Sequence, residues 1–484
     1  MNSDLKRLIS GILSASCLLA SLLLTACASD SSDTSDTTAA QVSETTTAAT
    51  TELTDSVPEL DFGGKTFRFI TLSSSTTNHQ IVYEEQVGDV LKDSMYERTQ
   101  EIEQRFNIDF APDNKQSDIT GYMRTVVTAG EDAGEVFMPT STQVFTLVGE
   151  GLFYDFRDLP YVDLEADWWF TELNELNNLT DNIYLAYGAM NLGVYDFLNV
   201  TLFNKNMITS LNLEDPYQLV WDEKWTFDKM SEMARTAISD ADGDGTVSMN
   251  DVFGYAGRAN SLCTNFISAA KLRTVETDAD GIPSLVTDNE KIVEVFEKAV
   301  KLFYENGFWY TKTNMANNYY DEFPFFENDQ ALFADRSFFS VSKLRNMESD
   351  FGVIPFPKYD EEQEGYGVMF EAGSRISVIP TTVSDPDMVG AVLEAMNFYS
   401  LKHVVPAYYE VSLKQKYARD DESIRMLDLI TDSVFHDLGN TVFSTQVKDG
   451  IYRKLFESNS VDLASRYAAQ QTAFDNQLDK ALTE

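Results

Sequence analysis

Apolar and polar positions change rhythm several times along the chain. From Leu8 to Ala26 the residues are apolar with only Ser, Thr and Gly interruptions, behind a short basic start at Lys6 and Arg7. A charged start and an apolar run that ends on small residues form a secretion signal, so residues 1–26 are assigned to one. Residues 28–57 hold fifteen Ser or Thr and six Asp or Glu, with no Lys, Arg or aromatic residue. Such a stretch cannot bury a core and is expected to be a disordered acidic tether with a reach of roughly 30 Å. From Pro58 the pattern becomes globular. The alternation of Thr66 to Leu72 predicts a strand, followed by a polar run from Ser73 to Asn78. Leu91, Met95, Ile102 and Phe106 recur at helical spacing, and Asn107 to Phe110 reads as the next strand. A third strand–helix step follows at Gly134 to Met138 and Ser141 to Val148.

Later helices carry their own punctuation. Thr287 with Glu290 forms a capping-box pattern ahead of Ile292, Phe296, Ala299, Val300 and Phe303. Asp385-Pro386 opens a helix that turns Val389, Val392, Leu393, Met396 and Tyr399 inward, and Phe474, Leu478 and Leu482 mark a last helix. Strand-like pieces lie between them at Phe253 to Ala256, Phe351 to Ile354 and Ile376 to Ile379. The alternation predicts an α/β architecture with more than one sheet and no repeats.

Composition narrows the function. The 484 residues carry a formal charge of −42, which excludes nucleic acid and anionic lipid surfaces as partners, since both need basic patches. Cys17 leaves with the signal, so Cys263 is left without a disulfide partner and the exported chain must be stabilised by its core. His79, His403 and His436 lack metal-ligand spacing, and Gly-x-Ser-x-Gly is absent from the sequence. Gly64-Lys65-Thr66 has Glu59 where a phosphate loop would place its first glycine. Carboxylates are numerous enough to hide a glycosidase pair.

Leu24-Thr25-Ala26-Cys27 resembles the bacterial lipobox. That resemblance implies cleavage before Cys27, a diacylglyceryl group on its thiol, and a protein held on the outer face of the bacterial cytoplasmic membrane. The order of segments after Pro58 resembles the family 1 extracellular solute-binding proteins, lipid-anchored receptors of ABC importers that mostly take up sugars. The resemblance runs through Lys65 to Leu72, Met95 to Phe110, Thr128-Ala129-Gly130 to Val136, and Gly151 to Phe156. It continues through Leu202-Phe203-Asn204-Lys205, Trp225-Thr226-Phe227-Asp228, Phe326 to Phe333, and Phe351 to Lys358. It implies a periplasmic-binding-protein-like fold of two α/β lobes joined by a hinge, with ligand between them. Carried onto this chain, lobe one is 58–188 plus 369–404 and lobe two is 189–368 plus 405–484. The implied protein is a monomer, not an enzyme, that passes a sugar or oligosaccharide to ABC importer membrane subunits. The alternative is a surface glycan-degrading or glycan-adhering protein.

Candidate ligand contacts follow. Indole faces pack on sugar C–H faces, which singles out Trp168 and Trp169 within Asp167-Trp168-Trp169-Phe170. In an extended segment their side chains point to opposite faces, one to core and one to ligand. The resemblance adds Asn78 after the first strand and Ser141, Thr142 and Gln143 after the third, with Asp196, Asp335, Arg336 and Phe338 facing them from lobe two. Arg336 serves either a charged ligand or a salt bridge to Asp335.

Asp240 to Asp251 carries the sharpest motif. Asp240, Asp242 and Asp244 sit at positions one, three and five of a calcium-loop pattern, Gly245 permits the turn, and Thr246, Ser248 and Asp251 complete the set. Asp in place of the usual Glu at position twelve leaves Ca²⁺ or Mg²⁺ open. The motif is expected to be a lone structural loop.

Overall fold

A computed structural model of the protein describes residues 54–72, 81–116, 118–179, 182–305, 307–310, 323–341, 344, 347–409 and 421–482. Cys27, the signal and most of the tether lie outside them, as does Asn78.

The first lobe begins with β1 (Lys65–Phe67) and β2 (Phe69–Leu72). The single strand expected there breaks at Arg68, whose backbone N–H and guanidinium both reach Glu135, with Asp132 as a second carboxylate partner. The break lets the two halves join different sheets. Helix α1 (Val90–Phe106) is capped by Asp89, which accepts from the Lys92 N–H at 3.2 Å, and ends at Asn107 in the left-handed region, φ 50°. Strand β3 (Ile108–Phe110) then pairs parallel with β1. Next come β4 (Asp113–Gln116), α2 (Ile119–Thr128), β5 (Val136–Met138) and α3 (Ser141–Phe145). Strands β4, β2 and β5 form a parallel sheet in that order. Extended backbone at 375–380 continues it: Val378 bridges Phe137 and Ser377 bridges Ala186, both antiparallel.

The second lobe is built on a five-stranded mixed sheet. Its first strand in the chain is β6 (Asn199–Asn204), all six residues buried. It is followed by α4 (Phe227–Ala237), β7 (Phe253–Ala256), α5 (Ala259–Ala269), α6 (Glu290–Phe303), β8 (Trp309–Tyr310), β9 (Ala331–Ser337) and β10 (Phe351–Ile354). The strand order is β8-β7-β9-β6-β10, with β6 antiparallel to both neighbours. Helix α6 keeps its expected apolar face, but Asn289 caps it, accepting from the Lys291 and Ile292 N–H groups, in place of Thr287.

The chain then returns through β11 (Val368–Met369) to lobe one, where α7 (Pro386–Tyr399) starts at the expected Asp385-Pro386. The apolar faces of α1 and α7 meet in one cluster, with Leu91, Met95, Ile102 and Phe106 against Val389, Val392, Leu393 and Met396. Strand β12 (Val434–Phe435), parallel to β11, and the terminal helix α8 (Leu463–Leu482) complete the second lobe. Among the described residues no helix is long and apolar enough to cross a membrane.

Candidate functional site

Two crossings lie side by side between the lobes: Leu198 bridges Phe370, and the Glu371 N–H donates to the Phe197 carbonyl at 3.2 Å. Around them the carboxyl ends of the parallel strands of both sheets converge, the usual place for a ligand in open α/β folds. Lobe one contributes Leu72 at the end of β2, Thr140 and Ser141 after β5, and Arg375, which starts the antiparallel extended segment and bridges Thr140. Lobe two contributes the end of β7, the end of β9 at Ser337, and the start of β6 at Asn199, which faces Ser337 in register. The approach is tight: a side chain at Gly257 would stand 2.0 Å from the Asp335 carboxylate.

Many polar groups at this seam are buried without a hydrogen-bond partner. In lobe one they are the Ser141, Ser374 and Tyr187 hydroxyls and Arg375 Nε; in lobe two, both polar atoms of the Asn199 amide, Thr201 Oγ1 and the Tyr255 hydroxyl. Burial pushes the Tyr187 phenol upward, opposed by the neighbouring Ser141 and Ser374 hydroxyls, so it stays protonated. Buried polar atoms are nearly always paired in native proteins, so such a concentration marks a place where something else supplies partners.

The sequence-predicted contacts divide among several roles. Thr142 spans the lobes, donating to the Thr441 carbonyl at 2.9 Å with the Ser444 hydroxyl 3.1 Å away. Gln143 turns back on Thr140, accepting from its N–H and hydroxyl, and completes a capping box for α3. Asp196 is buried and accepts from the Tyr408 hydroxyl at 2.8 Å. Asp335 is buried and accepts from Ser261 Oγ at 2.7 Å. The tie between Arg336 and Asp335 runs through the backbone, from Arg336 Nη1 to the Asp335 carbonyl at 2.6 Å, because consecutive strand side chains point apart. Phe338 is buried, and its N–H donates to the Leu198 carbonyl.

The tryptophan pair requires a correction. Both indoles are buried, at 6% and 3% exposure, and instead of dividing between core and ligand they converge on Glu394. Trp168 Nε1 donates to one carboxylate oxygen at 3.0 Å and Trp169 Nε1 to the other at 2.8 Å, joined by the Asp163 N–H at 3.3 Å. A turn at Ala166 to Trp169, closed by the Trp169 N–H on the Ala166 carbonyl, replaces the extended conformation the alternation assumed.

Trp169 also forms part of the wall of a cavity of about 330 Å³, with Phe170, Tyr195, Leu198, Glu172 and His436. Its size falls at the lower end of small-molecule sites. It lies on the flank of the hinge formed by 165–173 and 431–436, and neither Ser141 nor Arg375 lines it. Burial pushes His436 down to about 4, so its ring faces this cavity neutral.

In the acidic loop, ligand-type oxygens of exposed Asp240, Asp242 and Asp244 all lie within 4.8 Å of one another. Gly245 has φ 77°, and the Asp240 oxygens accept from the Gly243 and Gly245 N–H groups. Ser248 Oγ accepts from the Asn250 N–H, and the Thr246 N–H donates to Asp244. Asp251 departs from expectation: it is buried, and its two oxygens accept from the Ala241 and Ser248 N–H groups at 2.9 and 2.6 Å. The short side chain holds the loop's backbone closed instead of reaching toward the three aspartates.

No protein-family model and no curated protein matches the chain. Solved structures do. A cyclic α-maltosyl-1,6-maltose binding protein from Arthrobacter globiformis matches 86% of this chain and 99% of its own, with TM-score 0.58 at 12% identity. A family 1 extracellular solute-binding protein from Bifidobacterium longum subsp. infantis matches over 85% and 100%, with TM-score 0.54 at 14% identity. The maltose/maltodextrin-binding domain MalE from Bdellovibrio bacteriovorus, bound to maltotriose, matches over 85% and 99%, with TM-score 0.51 at 15% identity. The chain has the two-lobed fold of the sugar-type family 1 extracellular solute-binding proteins.

Proposed function

We propose that the protein is a lipid-anchored extracellular receptor that binds a carbohydrate between its lobes and delivers it to an ABC importer. The observation that carries this reading is the set of buried hydroxyl and amide groups, with Arg375 Nε, that find no partner outside the set among the described residues where the two sheets meet. A sugar presents donors and acceptors around its whole ring and suits such a set, whereas an apolar ligand would leave it unsatisfied. The fold supports the reading, since structures that share it bind maltotriose and cyclic maltosyl-maltose. Anchoring rests on the apolar segment ending at Cys27. The same reading makes the chain a binder and not an enzyme.

A thermal-shift screen of mono- and oligosaccharides, amino acids and peptides, with each hit recovered and analysed, tests it. Stabilisation by a sugar recovered intact is expected; a hit recovered cleaved would replace the receptor with a glycan-degrading enzyme. Cys27→Ser should release the protein into the medium, and retention on the membrane would remove the anchor from the proposal. We further propose that the loop at Asp240, Asp242 and Asp244 binds a divalent cation in a structural role, because three carboxylates this close repel one another when ionised.

A further inference from the structure

Several arginines of the protein are paired with carboxylates, Arg68 with Asp132 and Glu135, Arg105 with Asp55, Arg124 with Glu150, and Arg235 with Glu305, whereas buried Arg98 donates instead to Ser400 Oγ and the Ile81 carbonyl. Arg375 likewise lacks a carboxylate partner, but unlike Arg98 it stands at the seam between the lobes. Its Nη2 donates to the Leu72 carbonyl at 2.9 Å, its Nε is buried without an acceptor, and among the described residues no carboxylate reaches it. This is unexpected in a chain with 78 acidic residues against 36 basic ones, where a stray guanidinium readily finds a partner. A cation held at a partly desolvated position without a counter-charge is destabilising, and loss of water's solvation lowers its proton affinity. Flanking it are the hydroxyls of Ser374, Ser141 and Tyr187, gathered on one another with no other partner among the described residues, all on the lobe-one side of the seam. A planar guanidinium fork matches a carboxylate with two parallel N–H···O bonds, and hydroxyls match the alcohols of a sugar ring.

We propose that the carbohydrate received here carries a carboxylate, as a uronic acid does, and that Arg375 binds that carboxylate while Ser141, Ser374 and Tyr187 take neighbouring ring hydroxyls. The inference rests on the carbohydrate-receptor reading and narrows its substrate class.

Calorimetry of the whole chain decides it, using oligosaccharides of galacturonate, glucuronate, mannuronate and guluronate, their methyl esters, and neutral gluco-, xylo- and malto-oligosaccharides. At least one acidic oligosaccharide is expected to bind, and its methyl ester to bind roughly ten- to a hundredfold more weakly, the usual worth of charge-assisted hydrogen bonds. Arg375→Gln should weaken the acid by the same factor and erase the difference between acid and ester. Should that variant fail to fold, the acid–ester comparison on the unaltered protein still decides. Equal binding of acid and ester, or a preference for neutral sugars, overturns the inference and leaves the receptor standing. If no sugar of either kind binds, the receptor reading itself falls and takes this inference with it.

Discussion

Two regions of lobe one bury polar groups and treat them in opposite ways. Behind α7, the Glu394 carboxylate accepts from both indoles and a backbone N–H, and each donor and acceptor in the nest is answered within the protein. At the seam, Ser141, Ser374 and Tyr187 are buried and Arg375 is half-buried; among the described residues the three hydroxyls have only one another and Arg375 Nε has no acceptor. Burial alone therefore does not separate scaffold from site. Satisfaction does, because an unanswered buried polar group costs about 1–3 kcal/mol and persists only where something outside the fold repays it.

The sharpest break of this comparison is Trp169→Ala. A buried indole edge-on to Phe156 at 5.9 Å, bonded to Glu394, should cost about 3–5 kcal/mol of stability when removed. Urea unfolding would show it, with affinity at the seam unchanged in the folded fraction. A loss of affinity with little loss of stability would move Trp169 to the ligand side.

Next comes proton linkage at Glu394. Burial pushes its carboxyl up to about 7 from the usual 4.5, against the opposing hydrogen bonds of Trp169, the Asp163 N–H and Trp168. The native state thus holds a proton that the unfolded state releases between those values. The group's stabilising contribution is complete below the unfolded value and is lost as pH rises through about 7. Glu394→Gln is expected to lower stability and to remove this part of the fall between pH 5 and 7, read as a flatter melting-temperature profile. An unchanged profile would mean that the carboxylate is charged in the nest.

A cation in the acidic loop is expected to stabilise the fold by roughly 2.7 kcal/mol at a hundred times its dissociation constant. Added Ca²⁺ should raise the melting temperature, chelator should reverse it, and Asp240→Ala should abolish the response. Absence of any shift would leave the loop a hydrogen-bonded turn. The smallest stability effect is predicted for Tyr187→Phe, about 0.5–1 kcal/mol, because the lost hydroxyl leaves only the neutral Ser141 and Ser374 hydroxyls behind. Sugar affinity should nevertheless fall about tenfold. A large destabilisation would show that the hydroxyl is structural and blur the contrast with Glu394.

Much of the fold was legible because its signals are local. Asp385-Pro386 announced a helix at its observed start, and the spacing of Leu91, Met95, Ile102 and Phe106 gave the buried face of α1. Local pattern failed where a distant partner decided the outcome. Arg68 interrupts an otherwise plausible strand because Glu135, far along the chain, captures its backbone. The tryptophan pair looked like a sugar platform because Glu394, more than two hundred residues away, gives no local hint that it will accept both indoles. Arg375 escaped notice for the converse reason. Antiparallel segments present their amino ends at the seam, so the residue just ahead of Ile376 to Ile379 belongs there, a fact set by topology and invisible to periodicity.

The tied crossings have a mechanical consequence. The Glu371–Phe197 backbone bond fastens the second pass to the first, and the Asp196–Tyr408 bond ties the segment that follows α7 to the first. Two separate strings would let the lobes twist, slide and splay independently. Laced together, they behave as one pinned door with a single soft coordinate, so one interlobe distance, followed by a pair of labels, reports the whole motion.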